Sequence, residues 1–401
     1  MLSQTARPYI DASVPVLREH GAAITTQFYT TLFEDHPELM HIFNMGNQAN
    51  GSQQQSLAAA VYAYAANIDN AAALTPVLTR ITHKHASIGI KPEHYPIVGR
   101  HLLAAIQTIL GEAATPALLA AWDEAYGLLA TQLIAMEKQL YVQADIEAGD
   151  LRPLKVIAVS QESETVRSYY LQTQDSQSPG DFKPGQYVSI AVQLGPLRQL
   201  RQYSLSDSPD QPWWRISVKR VSGTALTQSG QVSNWLHANV KVGDQLLAGA
   251  AFGDFAPTLE SDIPITLISA GIGITPMISV LNTLNERRPA RPVVFAYATQ
   301  HGRHHALRED LTIARTKQSG LKEIIFYEAP LSTDEIGQDY HHQGRMQLEG
   351  LLDEETLKGE FYLCGPVGFM QQQWQELLEA GVSPKQIQRE VFGPDLLDHL
   401  A

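Results

Sequence analysis

Apolar residues in the first third of the chain recur three and four positions apart, in a texture rich in Ala and Leu. That spacing lines apolar side chains along one helix face, so residues 1–147 read as helical throughout. Breaks are expected where Pro or Gly interrupts the pattern: Gly21, Pro37, Gly46, Gly51, Pro76, Pro92, Gly111 and Pro116. From Arg152 to about Pro257 the period changes. Trp214-Arg-Ile-Ser-Val-Lys-Arg220 alternates apolar and polar, and Gln186 to Val192 and Gln245 to Gly249 behave alike, with turn residues between. This predicts an antiparallel barrel or sandwich. From Ile263 onward, β-type runs at 264–269, 292–297, 323–327 and 361–364 alternate with helical stretches, the pattern of a parallel sheet. The helical pattern ends across Ala144 to Pro153, where a hinge is expected. The division is then 1–147, all-α; 148–258, antiparallel β; and 259–401, α/β.

Composition narrows the function classes. A length of 401 residues suits two or three domains, and 44% hydrophobic with 18% charged residues excludes a largely disordered chain. Twenty-nine Lys and Arg stand against 42 Asp and Glu, a net charge of -13, without a basic cluster. Nucleic acid and anionic membrane surfaces are therefore poor partners. The single cysteine, Cys364, excludes intramolecular disulfides and Cys-ligated clusters. The most apolar early stretch, Leu57 to Leu74, is broken by Asn67, Asp69 and Asn70, and the first twenty residues carry Arg7, Asp11, Arg18 and Glu19. Neither reads as a membrane span or a secretory signal, so a cytoplasmic protein is expected.

The helical third carries a histidine argument. On a helix over Leu74 to Ile88, positions 74, 77, 78, 81 and 88 form one stripe, and His85 falls on it. His83 lies two residues away, roughly 200° round the helix. A His on an apolar face is most often a satisfied core residue. Here a second helix, Gln53 to Ile68, puts Gln53, Leu57, Val61 and Tyr64 on one face, a third carries Phe28-Tyr29, and Phe43 sits in a corner. One His, a few aromatics and a Gln suit a haem, whose iron needs a strong nitrogen donor on one side and a sparse polar set on the other. Without C-x-x-C-H, the haem would be held non-covalently.

Residues 1–143 resemble a globin, of the flavohaemoglobin type. The stretches that carry the resemblance are Phe43-Asn-Met-Gly-Asn-Gln48, Asn50-Gly51, Lys84-His85, Ile90-Lys-Pro-Glu93, Tyr95, Ile97-Val-Gly99 and His101-Leu-Leu-Ala104. The resemblance implies His85 as iron ligand, Tyr29, Gln53 and Leu57 as distal residues, Phe43 against the haem, and Lys84 and Glu390 in the catalytic set. It also implies a relay of Tyr95 and Glu137 behind His85. From periodicity alone Glu137 reads as a solvated helix residue.

The middle domain holds Arg201-Gln202-Tyr203-Ser204, which resembles the R-x-Y-S flavin motif of ferredoxin–NADP reductases. Arg supplies a fork for pyrophosphate, Tyr a face for the isoalloxazine, and Ser a hydroxyl for flavin N5. Pro184-Gly-Gln-Tyr187, Val218-Lys219-Arg220 and Gly230-Gln231-Val232-Ser233-Asn-Trp-Leu236 strengthen it; by resemblance, the amides of Val232 and Ser233 meet the FAD phosphates. Residues 221–229 are longer than in that pattern, and a surface loop is expected there. In the last domain Gly271-Ile272-Gly273-Ile274-Thr275-Pro276 follows a strand and opens a helix expected near Pro276. It resembles the reductase G-x-G-x-T-P turn, with Ile274 where a Gln is common. Tyr362-Leu-Cys364-Gly365-Pro366 resembles the second nucleotide segment, which puts Cys364 near the nicotinamide; the plainer reading is a small buried residue at a strand end. Glu390-Val391-Phe392-Gly393-Pro394 resembles the C-terminal segment that returns to the flavin, with Phe392 against the ring and Val391 where a Cys is often found.

The resemblance spans nearly the whole chain. It implies a globin, an antiparallel β-barrel FAD domain and an α/β parallel-sheet NAD(P) domain, carrying haem b, FAD and NAD(P)H. It further implies a monomeric nitric oxide dioxygenase in which electrons pass from NAD(P)H through FAD to haem, and O2 oxidises NO to nitrate. Two other readings stay open: an NAD(P)H-dependent reductase of O2, quinones or ferric chelates, and a haem gas sensor. Arg303 and Arg308 are the candidates for contact with a 2′-phosphate.

Overall fold

The computed structural model describes residues 2–223 and 229–393. Pro394 and most of the loop expected at 221–229 lie outside the described residues. The chain divides into two compact units. One holds the described residues up to Leu151 with Ser189–Arg201 and Gly393; the other holds Arg152–Val188 and Gln202–Phe392.

The first unit is built on α1 (Arg7–Asp35), α2 (Met45–Ala49), α3 (Ser52–Ala66), α4 (Ala71–Ile88), α5 (His94–Leu110) and α6 (Pro116–Gln143). Its core gathers Ile10, Phe28, Leu32, Leu78, Ile106, Trp122 and Leu133. Two expected breaks are absent. Gly21 lies inside α1, where a Cβ would come within 3.2 Å of the Ala58 Cβ on α3, so the glycine serves a close crossing of the two helices. Pro76 lies inside α4 in its second turn, where it forfeits one helical N–H while Leu74, Val77 and Leu78 stay buried. Asn70 caps α4 through the Ala73 N–H. Gly89 ends it at φ 77°, and a side chain there would strike the Gly149 backbone.

The middle segment contributes β1 (Arg152–Gln161), β2 (Val166–Gln172), β3 (Tyr187–Leu194), β4 (Leu197–Ser204), β5 (Trp214–Lys219), α7 (Gln231–Asn239) and β6 (Gln245–Phe252). Their sheet order is β4-β3-β6-β1-β2-β5. Leu205, just past β4, bridges Ile216 in β5, so the two edge strands meet. That makes the sheet a barrel and removes the sandwich alternative.

The last segment runs β7 (Ile265–Ala270), α8 (Ile274–Arg287), β8 (Val293–Thr299), α9 (Arg308–Lys317), β9 (Leu321–Tyr327), β10 (His342–Gln343), β11 (Glu360–Cys364), α10 (Val367–Glu379) and β12 (Ile387–Glu390). All pairings are parallel, in the order β10-β9-β8-β7-β11-β12. After β7 the chain proceeds to one side, and it returns to the other through β11. The crevice for a ligand in such a sheet lies at this switch, beyond the carboxyl ends of β7 and β11. Among the described residues, no helix is long and apolar enough to cross a membrane.

Candidate functional site

His85 leaves the last turn of α4, and its Nδ1 lies 2.8 Å from Glu137 Oε1 and 3.2 Å from the Tyr95 hydroxyl. Tyr95, in the first turn of α5, donates to the same Glu137 oxygen at 2.6 Å. Glu137 on α6 is 2% exposed, contrary to its periodicity, which reads as solvated. Burial, then Glu137, holds the Tyr95 phenol far above its ordinary range, so it stays a donor. With Nδ1 committed, Nε2 is the nitrogen left for a metal. It is the His85 ring, not that of His83, that carries the Glu137 bond.

A second set comes from α1 and α3. Tyr29 is buried; its ring stacks on Phe33 at 5.8 Å between centroids and meets Phe28 and Phe43 edge-on at 4.7 and 5.7 Å. Burial pushes its phenol up to about 12, against the pull of the Gln53 and then the Gln48 side chain. Gln53 stands in the first turn of α3, and Leu57, one turn on, packs against the core. The structure thus brings Tyr29, Gln53 and Phe43 together, and His85, Tyr95 and Glu137. One imidazole nitrogen in one set, and a neutral phenol with an amide among aromatic rings in the other, make a donor set that fits a haem. The Lys84 Nζ donates to the Gly393 carbonyl at 2.7 Å.

Sequence reasoning missed the residues that hold this arrangement. The Tyr126 hydroxyl donates to the Tyr95 carbonyl at 2.7 Å, and the Tyr141 hydroxyl to the Ile90 carbonyl at 2.8 Å. Gly99 lets the Tyr126 ring pass, since a Cβ there would lie 2.6 Å from its Cε1. A glycine in mid-helix was the available signal.

In the middle segment Arg201-Gln-Tyr-Ser204 ends β4. Arg201 is half-buried, with its Nη1 2.7 Å from the Leu200 carbonyl; Gln202 is exposed and Tyr203 half-buried. Ser204 is buried, and its Oγ has no hydrogen-bond partner among the described residues. A buried orphan hydroxyl costs about 1–3 kcal/mol, so a ligand atom is its natural partner. Tyr187 opens β3 with its ring over Gly253, and Lys219 ends β5 exposed. Gly230 caps α7, so the amides of Gln231, Val232 and Ser233 fall in the first turn, a natural anion cradle. These donors fit a flavin with its phosphates.

At the switch point Gly271 takes φ 55° and opens a tight turn, Gly271–Gly273, into α8. A Cβ on Gly273 would collide with the Cys364 carbonyl, so the turn from β7 lies flush on the end of β11. The helix starts at Ile274, with Pro276 in its third position, two residues earlier than expected. Thr275 Oγ1 closes the turn by donating to the Ile272 carbonyl at 3.0 Å. Ile274, fully buried, directs its own side chain into the core. Cys364 is fully buried as well; burial, then Glu390, raises its thiol well above the usual range. That favours the reading as a core residue. Gly365 and Pro366 lead into α10, Glu390 pairs in register with Cys364, Val391 is core, and Phe392 is exposed. Arg303 and Arg308 are ion-paired, to Glu164 and Asp339.

Three family models match: Globin at residues 26–133, Oxidoreductase FAD-binding domain at 153–256 and Oxidoreductase NAD-binding domain at 267–375. A Flavohemoprotein from Rhizobium meliloti is 46% identical over 402 residues, covering 99% of each chain. A crystal structure of flavohemoglobin from Malassezia yamatoensis, with bound FAD and heme, superposes with a TM-score of 0.85 at 29% identity, covering 98% of this chain and 100% of that one. The FAD/NAD-binding domain of a nitric oxide dioxygenase from Vibrio cholerae matches at 39% identity and a TM-score of 0.55, covering 61% of this chain and 100% of that one.

Proposed function

The chain belongs to the flavohaemoproteins, and from that premise we propose that this oxidoreductase is a nitric oxide dioxygenase, oxidising NO with O2 to nitrate at the expense of NAD(P)H. The observation that carries the proposal is the buried Glu137 bond to His85 Nδ1, in a chain that also carries a flavin and a nicotinamide domain. A carboxylate accepting the imidazole N–H makes the other ring nitrogen a stronger donor, which favours reductive O2 chemistry over storage.

When bound, NAD(P)H supplies hydride, FAD turns electron pairs into single electrons, and haem supplies the iron at which O2 and NO react. The protein's part is positional. His85 Nε2 would hold the iron, and Glu137 and Tyr95 keep the Nδ1 proton in place. Tyr29, neutral at physiological pH, offers a hydroxyl donor to a diatomic in the distal chamber, with Gln53 beside it. Leu57 and Phe43 would pack against the haem and shield it from water. Arg201 and the first-turn amides of α7 would hold the FAD phosphates. Tyr203 would flank its ring, and the Ser204 hydroxyl would bond N5. The Gly271–Gly273 turn and the start of α8 would seat the nicotinamide nucleotide's pyrophosphate. We assign residues 1–147 to haem, 148–258 to FAD and 259–401 to the nucleotide, and place the protein in the cytoplasm, where its reductant is made.

The test is NO consumption followed with an electrode in the presence of NAD(P)H and O2, with nitrate assayed alongside. Dioxygenation predicts nitrate in step with NO lost. A flavohaem reductase of O2, quinones or ferric chelates would oxidise NAD(P)H at a rate that NO leaves unchanged.

A further inference from the structure

Behind Ser204 the chain runs Leu205-Ser206-Asp207-Ser208 along β5, and there it meets a buried polar network. Arg215 of β5 and Asp310 of α9 are 6% and 8% exposed at the side chain. The guanidinium grips the carboxylate with both ends of its fork, at 2.7 and 3.2 Å, and also donates to the Ser206 carbonyl. Asn282 of α8 joins both carboxylates through one amide nitrogen, 2.6 Å from Asp310 Oδ1 and 2.9 Å from Asp207 Oδ1. Ser279, one turn earlier on α8, donates to the Asp207 carbonyl at 2.8 Å. Asp207 also receives Trp213 Nε1 at 3.2 Å and the Ser208 N–H at 2.9 Å.

Two properties set this network apart from ordinary packing. A buried ion pair costs so much desolvation that an apolar replacement of similar volume often does as well for stability; what it supplies is registration. Three ties, Arg215 to Asp310, Asn282 to Asp207 and Ser279 to the Asp207 carbonyl, also have one end on the segment that follows Ser204 or on β5 and the other on α8 or α9. Helix α8 begins at the Gly271–Gly273 turn. The network therefore clamps the strand end bearing the orphan hydroxyl to the helix whose first turn faces the nucleotide crevice.

We propose that Arg215, with Asp310 and Asn282, is a positioning residue for hydride transfer, fixing the approach of the nucleotide turn to the Ser204 side of the flavin. The inference rests on the assignment of FAD to Ser204 and of the nicotinamide nucleotide to Gly271–Gly273. Hydride transfer depends steeply on donor–acceptor distance, and a misplacement of about 1 Å costs on the order of a hundredfold.

The decisive variant is the apolar double replacement Arg215→Met/Asp310→Leu, which removes both charges of the pair and leaves Asp207, also 3.8 Å from Arg215, to its Trp213, Ser208 and Asn282 donors; Asn282→Leu, which keeps the pair and removes the bridge, is the second. Both are made in the full-length, cofactor-loaded protein and mixed anaerobically with NADH or NADPH in a stopped flow. The limiting rate of flavin bleaching at saturating nucleotide should fall by about tenfold or more, and the long-wavelength nicotinamide–flavin charge-transfer band should weaken. The nucleotide Kd, FAD content and Soret spectrum should stay at their wild-type values. A merely structural pair predicts the opposite: a folded double variant with the wild-type limiting rate and charge-transfer band, which would overturn the proposal. If the double variant does not fold, the same two outcomes are read on Asn282→Leu. Wild-type protein whose FAD neither nucleotide reduces would instead overturn the assignment beneath it, and the proposal with it.

Discussion

Tyr95→Phe removes one hydroxyl from the relay behind His85 and keeps the ring. That hydroxyl donates to Glu137 Oε1 at 2.6 Å, while His85 Nδ1 shares the same oxygen at 2.8 Å. A buried bond to a charged acceptor is worth about 1.5–3 kcal/mol. Without it the carboxylate turns more fully to the imidazole, which becomes the stronger donor and favours ferric over ferrous iron. If about 1 kcal/mol of the released interaction enters that equilibrium, the haem midpoint falls by about 40 mV, since tenfold is about 59 mV for one electron. Glu137→Gln replaces the charged acceptor with a neutral one and should move the midpoint upward. Spectroelectrochemical titration of the Soret band in the three proteins measures both shifts. Unchanged midpoints in both variants, or shifts of the same sign, would refute the claim that Glu137 acts on the iron ligand through Nδ1.

The other expectations follow from single features. His85→Ala should abolish stable haem incorporation while His83→Ala retains the wild-type Soret spectrum; equal loss in both would put the stripe of α4 in the wrong phase. Ser204→Ala should leave the apoprotein at least as stable in urea, because the hydroxyl has no partner there, yet slow flavin reduction in the loaded protein; a destabilised apoprotein would mean the hydroxyl is a structural group. His305 is buried with its Nδ1 2.8 Å from the Tyr327 hydroxyl, and burial, then Arg308 and Arg315, depresses it from 6.5 to about 3. The unfolded chain therefore binds a proton that the folded one refuses, so stability is full above 6.5 and declines as pH falls toward 3. At pH 5 the loss is about 2 kcal/mol, and His305→Asn should flatten that part of the urea-midpoint profile; an unchanged profile would remove His305 as its source.

Much of this was legible in the chain. The change of period at Arg152 and again near Ile263 marks where helices give way to antiparallel strands and then to alternating strands and helices, because burial on one face forces one repeat per architecture. His85 was legible from the stripe of α4. Glu137 was not: its carboxylate is buried by partners 52 and 42 residues away, and no local period encodes that. The same holds for Arg215 and Asp310, 95 residues apart, where each alone reads as a surface charge. Gly21 and Pro76 misled for the converse reason. A tertiary gain, the Ala58 crossing in one case and the buried face of α4 in the other, outweighs the local cost of a poor helix former.

The central claim is dioxygenation, and isotope labelling reaches it directly. The wild-type protein, given NAD(P)H, NO and 18O2, should yield nitrate in which both added oxygen atoms carry the label. Nitrate without that double label, or labelled hydrogen peroxide and water with NO left unconsumed, would contradict it.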